Sequence, residues 1–258
     1  MGIVNLTPDS FSGDGLAKDR GRAVAHAEAL IAAGADLLDL GAESSRPGAQ
    51  PTPLDEELER LLPVLEALKG CGVPLSVDTY KPVVMKAALA AGADLINDIS
   101  GLSDPEALPA VAATSCGLCL MHMQGTPGTM QQQPAYADVV AEVAGFLAER
   151  VAACRQAGIA DERLLLDPGF GFGKTLAHNL ELFRHLPQLG GGFPLLVGVS
   201  RKSMLGAITG KPVEERLAAS VAAAVLAAQR GAAILRVHDV AATRDALAVW
   251  AAMECDVD

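Results

Sequence analysis

Eight short apolar runs, separated by longer segments with helical periodicity, set the strongest limit on the fold of this chain. Each run is rich in aliphatic residues and is too short for a helix, which is typical of strands that are covered on both faces. Segments such as 20–33, 56–68 and 214–229 place apolar residues at helical spacing between the runs. The runs predicted as strands are 2–6, 37–41, 74–77, 95–99, 117–121, 164–166, 195–199 and 234–237.

Eight strand–helix units within 258 residues match the size of a (β/α)8 TIM barrel, an α/β fold with eight parallel strands. The alternative, a doubly wound open sheet, usually has fewer strands and a glycine-rich fingerprint after the first of them. Here the first run is followed by Thr7-Pro8-Asp9. The chain contains no linker, low-complexity tract or block of charge, so we predict a single domain over residues 1–258.

The composition excludes several classes of protein. Half of the residues are hydrophobic and the formal net charge is −11, which allows a large core and argues against nucleic acid or an anionic membrane as partner. No apolar run reaches the roughly 18 residues of a membrane span, and the N-terminal sequence lacks the pattern of a signal peptide. We therefore expect a cytoplasmic globular protein.

The five cysteines are scattered along the chain, and their odd number favours reduced thiols over a disulfide framework. Cys116 and Cys119 form a C-x-x-C pattern, but Cys119 lies within an apolar run, and no second pair completes a zinc site. We interpret both as small core residues.

A polar side chain lies at the carboxyl end of every predicted strand. Because these ends meet at one mouth of a barrel, most of the side chains are expected to line a common site. Asp39, Asp98 and Asp239 are expected instead to cap a helix or to pair with another residue. The full set is Asn5, Asp39, Glu43, Asp78, Asn97, Asp98, His122, Asp167, Ser200, Arg201, Lys202, Arg236 and His238.

The chemistry of these residues falls into two groups. Carboxylate and amide groups, on Asp78, Asn97 and Asp167, suit a flat heterocycle with an amino-substituted edge. A second group of cationic donors suits a phosphate or a diphosphate: Arg46, Lys202, Arg236 and His238. Beside a phosphate site, the neutral oxygen of Asn5 suits a Mg2+ ion that keeps most of its water ligands.

Two long loops rich in glycine, proline and serine, 7–16 and 44–53, follow the first two strands and are candidates for lids over the mouth. The glycine-rich run 167–175 lacks the spacing of a phosphate-binding P-loop.

Eight motifs in this order resemble the dihydropteroate synthase family over nearly the whole chain. They are MGIVNLTPDSFS, GAESSRPGA, SVDT, LINDISG, LMHMQGTPGTMQ, LLLDPGFGFGK, GVSRKSML and ILRVHDV. The resemblance implies a TIM barrel, usually a homodimer, that acts in folate biosynthesis. Its members join 6-hydroxymethyl-7,8-dihydropterin diphosphate to p-aminobenzoate, giving 7,8-dihydropteroate and diphosphate, and sulfonamides compete with p-aminobenzoate.

The resemblance also implies a role for individual residues. Asp78, Asn97, Asp167 and Lys202 would hold the pterin, with Arg236 stacked on its face and Met121 in the pocket wall. Asn5, Arg46, Arg236 and His238 would hold the diphosphate, and Asn5 would also contact Mg2+. Phe172, Ser203, Phe11, Ser45 and Pro47 would shape the p-aminobenzoate site, with Ser203 at the start of the helix after the seventh strand. The catalytic group would comprise Lys202, Arg236, His238 and Asp167.

The sequence departs from the family pattern in its first two loops. Ser45 replaces the usual threonine and lacks its methyl group, which predicts a less rigid loop. Ala42 replaces a glycine, and Asp14 lies one place out of register. Members also carry an N-terminal extension at the bottom of the barrel, so a longer form of this chain is expected to be more stable.

Two alternative functions fit part of the pattern. A pterin-binding methyltetrahydrofolate methyltransferase shares the asparagine and aspartate set but has no diphosphate to hold, and the SRK and RVH motifs favour the synthase. A non-catalytic pterin-binding relative would not need the complete polar set.

Overall fold

The eight predicted strands pair side by side in chain order and curl into a barrel. A computed structural model describes residues 1–7 and 19–254. All paired neighbours are parallel, in the order β1 to β8, which confirms the predicted α/β barrel class. The strands are β1 (Gly2–Asn5), β2 (Leu38–Gly41), β3 (Leu75–Asp78), β4 (Leu95–Asp98), β5 (Gly117–Met121), β6 (Leu164–Asp167), β7 (Leu195–Val197) and β8 (Ala232–Leu235).

The residues after β8 close the barrel against β1. Gly2 and Val237 form an isolated parallel bridge. The Ile3 amide donates to the carbonyl of Val237 at 3.1 Å, and the Val237 amide donates to the carbonyl of Met1 at 3.0 Å. The sheet therefore continues past β8, which limits the exposed edge that an open sheet would leave.

The last strand begins and ends two residues earlier than the predicted range 234–237. Alanine is a weak strand former, so its two alanines carried little signal in the sequence. Ala232 nevertheless pairs with Leu195, and the register with β7 is irregular between Leu195 and Leu196. The shift leaves Arg236 just beyond the strand, where its amide still donates to the carbonyl of Val197.

Helices cover the outer face of the barrel. They are α1 (Arg20–Ala32), α2 (Leu54–Leu68), α3 (Pro82–Ala91), α4 (Ala107–Val111), α5 (Val139–Gln156), α6 (Leu176–Arg184), α7 (Leu186–Leu189), α8 (Ser203–Thr209), α9 (Leu217–Gln229) and α10 (Val240–Glu254). The helix predicted over 214–229 is divided, because residues 213–215 form a separate 3-10 turn. The side chain of Arg216 holds this turn by donating to the carbonyls of Lys211 and Arg201, both at 3.0 Å.

Apolar residues fill the barrel interior at its amino-terminal end. Met1, Cys119, Leu165 and Leu196 form this inner cluster, separate from the larger layer between sheet and helices. Cys119 is fully buried and Cys116 is 7% exposed, so both are core residues as predicted.

The interior near the carboxyl ends of the strands is polar instead. The buried side chains of Asp39 and Ser76 lie there, and the Ser76 hydroxyl donates to Asp39 Oδ1 at 2.6 Å. Asn5, Gly41, Asp78 and Asn97 are in register, each with the next, and the first three line the mouth of the barrel. That residues 1–258 form one domain stays a prediction.

Truncation of Leu196 tests the inner cluster. Leu196 is completely buried, so Leu196→Ala should destabilise the fold by about 2–5 kcal/mol through lost burial and a residual cavity. The matched control is Val83→Ala on α3, where the valine is 52% exposed and the cost should stay within about 0.5 kcal/mol. Urea unfolding followed by circular dichroism measures both. Equal midpoints would mean that the barrel interior is not packed as described.

Candidate active site

A cavity of about 230 Å³ lies at the carboxyl ends of the strands. Polar side chains from most of the strand ends reach it, as the barrel predicts. The sequence predicts a catalytic, binding or metal role for fourteen residues, of which Phe11 lies outside the described ranges. The cavity brings together ten of them: Asn5, Ser45, Arg46, Pro47, Asp78, Phe172, Lys202, Ser203, Arg236 and His238. Ser203 is the first residue of α8, as predicted.

The other three predicted residues, Asn97, Met121 and Asp167, are buried and do not line this cavity. The Asn97 amide donates to Asp39 Oδ2 at 3.3 Å, and Asp167 Oδ1 accepts from the Gly169 amide at 2.7 Å. Their position at the strand ends is as predicted, but hydrogen bonds within the protein hold their side chains. Strand position alone does not determine that choice of partner.

Arg236 forms ion pairs with two carboxylates from neighbouring strands. Its Nε lies 2.5 Å from Asp39 Oδ2, and its Nη2 lies 3.0 Å from Asp78 Oδ2. Asp39 is fully buried and also accepts from Ser76 and Asn97, so its negative charge is fully compensated by donors. The guanidinium is thereby fixed at one wall of the cavity.

These ion pairs and burial shift the pKa values of both partners. Burial raises the pKa of Asp78 to about 7, although the Arg236 guanidinium beside it favours the carboxylate. Burial alone would lower the pKa of Arg236, but Asp39 and Asp78 outweigh this effect and raise it. Arg236 is therefore a permanent cation, whereas Asp78 titrates near neutral pH.

Lys202 lies between the aromatic and acidic parts of the site. Its Nζ lies 4.7 Å from the centroid of the Phe172 ring and donates to the carbonyl of Phe170. Burial lowers the pKa of Lys202 to about 8, and the nearby carboxylate of Asp167 partly opposes this effect. Burial also raises the pKa of Asp167, against the effect of Lys202.

The loop that carries Phe172 depends on two glycines. Gly169 and Gly173 have φ values of 69° and 62°, in the left-handed region. A Cβ at Gly169 would collide with the carbonyl oxygen of His122, and one at Gly173 with that of Gln124. The glycine-rich run therefore packs closely against the segment after β5, and it shows no sign of a nucleotide loop.

A buried lysine completes this loop. The Lys174 ammonium lies 2.9 Å from the Gly169 carbonyl, 3.0 Å from the Phe172 carbonyl and 2.9 Å from His122 Nδ1. Burial lowers the pKa of Lys174 to about 7, and burial with the Lys174 charge lowers the pKa of His122 to about 3. His122 is thus a neutral acceptor that does not line the cavity, unlike most of the strand-end set.

The loops after β7 and β8 are joined to each other by two contacts. His238 Nδ1 lies 3.0 Å from the Ser200 hydroxyl, and the Arg201 guanidinium binds both oxygens of Asp239 at 3.0 and 2.6 Å. Arg201 has a φ of 58°, a strained backbone for a residue with a side chain. The ion pair with Asp239 and the hydrogen bond from the Arg201 amide to the Ser220 hydroxyl stabilise this conformation. Arg201 lies between Ser200 and Lys202, which both line the cavity.

The expectation that three aspartates serve pairing and capping is confirmed in part. It holds for Asp39 and Asp239, which pair with arginines as described above. For Asp98 it is wrong in detail, because this residue caps a turn and not a helix: it accepts from the amides of Ser100 and Leu102 at 2.6 and 2.9 Å, whereas the next helix begins only at Ala107.

The sequence did not predict every residue that lines the cavity, and two residues that it singled out lie outside the described ranges. Met130, 4% exposed, lines the cavity from the segment after β5, where an isolated methionine gave no signal. Phe11 and Asp14 lie outside the described residues. Ala42 is buried, and within the described ranges the left-handed non-glycine residues are Leu102 and Arg201, so replacement of glycine at position 42 creates no strain of this kind.

The donors at the mouth fit a magnesium ion only if the ligand brings most of the oxygens. Within residues 1–7 and 19–254, no group of three histidine, cysteine, aspartate or glutamate side chains is arranged to hold a metal. Asn5 lines the cavity and offers one neutral oxygen, while Asp78 is occupied by Arg236. Magnesium commonly keeps several waters and binds through substrate phosphates, which this donor set allows.

Comparisons with known proteins agree with this geometry. The family model described as "Pterin binding enzyme" matches residues 1–238. The dihydropteroate synthase of Neisseria meningitidis serogroup B is 54% identical over 98% of this chain and 92% of its own length. No helix in the described part of the chain is long and apolar enough to cross a membrane.

Solved structures of three bacterial enzymes have nearly the same fold. Dihydropteroate synthase of Burkholderia cenocepacia, complexed with 7,8-dihydropteroate, is 57% identical with a TM-score of 0.91, over 98% of this chain and 90% of that one. The Xanthomonas albilineans enzyme with 4-aminobenzoic acid is 55% identical with a TM-score of 0.92, over 100% and 93%. The Yersinia pestis enzyme in a sulfonamide drug complex is 49% identical with a TM-score of 0.94, over 98% and 92%. With this identity along almost the whole chain, the protein belongs to the dihydropteroate synthases of the pterin-binding enzyme family.

Proposed function

We propose that this cavity condenses 6-hydroxymethyl-7,8-dihydropterin diphosphate with p-aminobenzoate, giving 7,8-dihydropteroate and diphosphate. The observation that carries the proposal is that one cavity joins the carboxylate of Asp78 to cationic donors on Arg46, Lys202 and Arg236. A pterin diphosphate has the complementary halves, an amino-substituted heterocycle and an anion. The complexes of relatives with 7,8-dihydropteroate and 4-aminobenzoic acid support both substrates.

The pterin half of the substrate is assigned to the acidic side of the mouth. Asp78, Asn97 and Asp167 offer carboxylate and amide groups there, and Lys202 offers a donor. To reach a ligand, Asn97 and Asp167 would exchange their present partners, Asp39 and the Gly169 amide, for its polar edge. Arg236 is held through its edge by the two aspartates, and the planar face of its guanidinium would stack against the ring.

The diphosphate and the arylamine occupy the remaining lining. Arg46, from the segment after β2, and Arg236 and His238, both from the loop after β8, would bind the diphosphate. Phe172, Ser203, Ser45 and Pro47 would surround p-aminobenzoate, with Phe172 held in place by its own loop and by Lys202. The sulfonamide complex of the Yersinia pestis relative supports inhibition of this chain by the same class of drug.

The reaction would then be a displacement at the methylene carbon of the pterin. The bond from this carbon to the diphosphate oxygen breaks, its electron pair leaves with the diphosphate, and the arylamine nitrogen forms the new bond and loses a proton. The electron-rich pterin stabilises positive charge on the carbon, and the cationic side chains stabilise the leaving group. The protein thus acts by positioning and electrostatics, and no covalent enzyme intermediate is needed.

Magnesium is part of the proposal as an ion bound mainly through the diphosphate, with Asn5 as its protein ligand. When bound, it would neutralise charge on the leaving group. This assignment would be contradicted if the rate of diphosphate release were unchanged after exhaustive chelation and did not increase when Mg2+ was added.

A homodimer is proposed from an exposed apolar surface. Helix α9 packs against α8 and against α10. Each of the three helices exposes a large apolar side chain: Ile208 at 55% on α8, Leu226 at 44% on α9 and Val249 at 54% on α10. Sedimentation equilibrium should give twice the mass of one chain, and the mass of a single chain would refute the dimer. A cytoplasmic location is proposed from membership of the family.

The direct test is to incubate the purified protein with the pterin diphosphate, Mg2+ and p-aminobenzoate and to measure diphosphate release. Release that requires p-aminobenzoate supports the synthase. Binding of the pterin without release would indicate the non-catalytic alternative, and methyl transfer to a corrinoid would indicate a methyltransferase.

Two substitutions test the pterin half of the site. Lys202→Ala and Asp167→Ala should each abolish most turnover, a loss of about 100-fold or more, since each removes a charged contact from a desolvated site. Steady-state kinetics measures both, and Lys211→Ala, on an exposed lysine, is the control. Near-normal rates in both variants would show that the pocket is wrongly assigned.

The pKa shifts predict a bell-shaped pH profile for kcat/KM with the pterin diphosphate. As the pH falls through about 7, Asp78 becomes protonated and stops accepting from the pterin; as it rises through about 8, Lys202 loses its charge. Lys202→Arg should remove the alkaline limb, because a guanidinium does not titrate in this range. A profile that stays flat across both values would rule out these two groups.

A further inference from the structure

Lys81 joins both ends of the segment 43–52, which provides one wall of the cavity, to the body of the protein. Its ammonium lies 2.6 Å from Glu43 Oε2 at the start of the segment and 2.5 Å from the carbonyl of Thr52 at its end. It also lies 2.7 Å from Glu57 Oε2 on α2. Lys81 immediately precedes α3, so the ammonium connects one loop to two helices.

Each carboxylate of this cluster also accepts hydrogen bonds through its Oε1 atom. Glu43 Oε1 accepts from the Tyr80 hydroxyl at 2.8 Å and from the Thr52 amide at 3.0 Å. Glu57 Oε1 accepts from the Thr79 hydroxyl at 2.8 Å. The side chains of Glu43 and Glu57 are 8% and 1% exposed, so water does little to screen these contacts. A buried pair of like charges needs a cation between them, and Lys81 supplies it.

The segment between these fixed ends contains the side chains that face the ligands. Ser44, Ser45, Arg46 and Pro47 all line the cavity, whereas Lys81 and Glu57 do not. In the middle of the segment, the Gly48 amide donates to the carbonyl of Pro127 at 2.9 Å. The position of Ser45 and Pro47 therefore depends on contacts made outside the cavity.

We propose that Lys81 is a positioning residue, whose ion pairs hold the segment 43–52 in the conformation that binds p-aminobenzoate and sulfonamides. The proposal rests on the function proposed above. Lys81 acts on the arylamine half of the site through Ser45 and Pro47 and on the diphosphate through Arg46. The pterin ring is bound by residues on other elements, so its affinity should not depend on Lys81.

The first variant is Lys81→Met, which keeps the length of the side chain and removes its charge. The KM for p-aminobenzoate should rise at least tenfold, and inhibition by a sulfonamide should weaken by a similar factor. The Kd for a pterin that lacks the diphosphate should stay within twofold of the wild-type value. Lys81→Arg should recover most of the affinity for p-aminobenzoate, because it restores the cation.

A second variant covers the case in which two uncompensated carboxylates prevent folding. Lys81→Met combined with Glu57→Gln removes one buried charge together with the lysine, while Glu43 keeps its bonds from Tyr80 and Thr52. It should show the same rise in KM. Hydrogen exchange should become faster in residues 43–52 but not in the barrel strands. The control is Lys69→Met, at an exposed lysine that ends α2.

Wild-type protein without turnover would overturn the proposed function itself. With an active wild type, an unchanged KM for p-aminobenzoate in either variant would overturn the role of Lys81 alone. A loss of pterin affinity as large as the change in KM, or failure of the double variant to fold, would show a general contribution to stability and would also overturn it.

Discussion

The guanidinium of Arg236 bridges Asp39 and Asp78 across the barrel, and the structure of the mouth depends on this contact. It joins residues 197 and 158 positions apart in the chain and thereby ties the region after β8 to β2 and β3. Asp39 is fully buried and the Asp78 side chain is 16% exposed, so loss of Arg236 would leave the buried charge of Asp39 without its cation, at a typical cost of about 3–5 kcal/mol. The opposite end of the barrel is filled by apolar side chains. The barrel thus has a stabilising end and a polar end that binds ligands.

Fixed charges at the mouth also determine how the remaining loops are built. A preorganised donor is effective because it does not reorient when charge develops on the ligand. Several of the described segments that line the cavity have an anchor away from it: Lys174 for the loop after β6, the Arg201–Asp239 pair for the loops after β7 and β8, and Lys81 for the segment after β2. These anchors are buried or partly buried ion pairs and charge-assisted hydrogen bonds. The functional side chains are consequently free to bind a ligand without losing their position.

The sequence predicts the strands and the end of the barrel that holds the site, because buried parallel strands are aliphatic and a polar residue at their carboxyl end stands out. It does not predict the hydrogen-bond partners of these polar side chains. Asn97 and Asp167 are polar residues at strand ends, as Asp78 is, yet only the folded arrangement shows that they bond to Asp39 and to Gly169. Lys81 and Lys174 look like ordinary surface lysines in sequence. The acceptors of Lys81 come from distant segments, and Lys174 bonds mainly to backbone carbonyls of its own loop, which carry no side-chain signal. The shift of β8 has the same origin, because its alanines pair through backbone bonds that need no side-chain signal.

The charge balance of the mouth gives a physical reason for a divalent cation. The cationic donors Arg46, Lys202 and Arg236 are opposed by an equal number of carboxylates, on Asp39, Asp78 and Asp167, so the positive pocket expected from sequence is largely neutralised within the protein. A diphosphate brings further negative charge into this balanced region, and an ion such as Mg2+ would supply the missing positive charge. Asn5 suits that purpose better than an aspartate. A carboxylate at this position would hold the ion more tightly, but it would also repel the diphosphate that must arrive and leave with it.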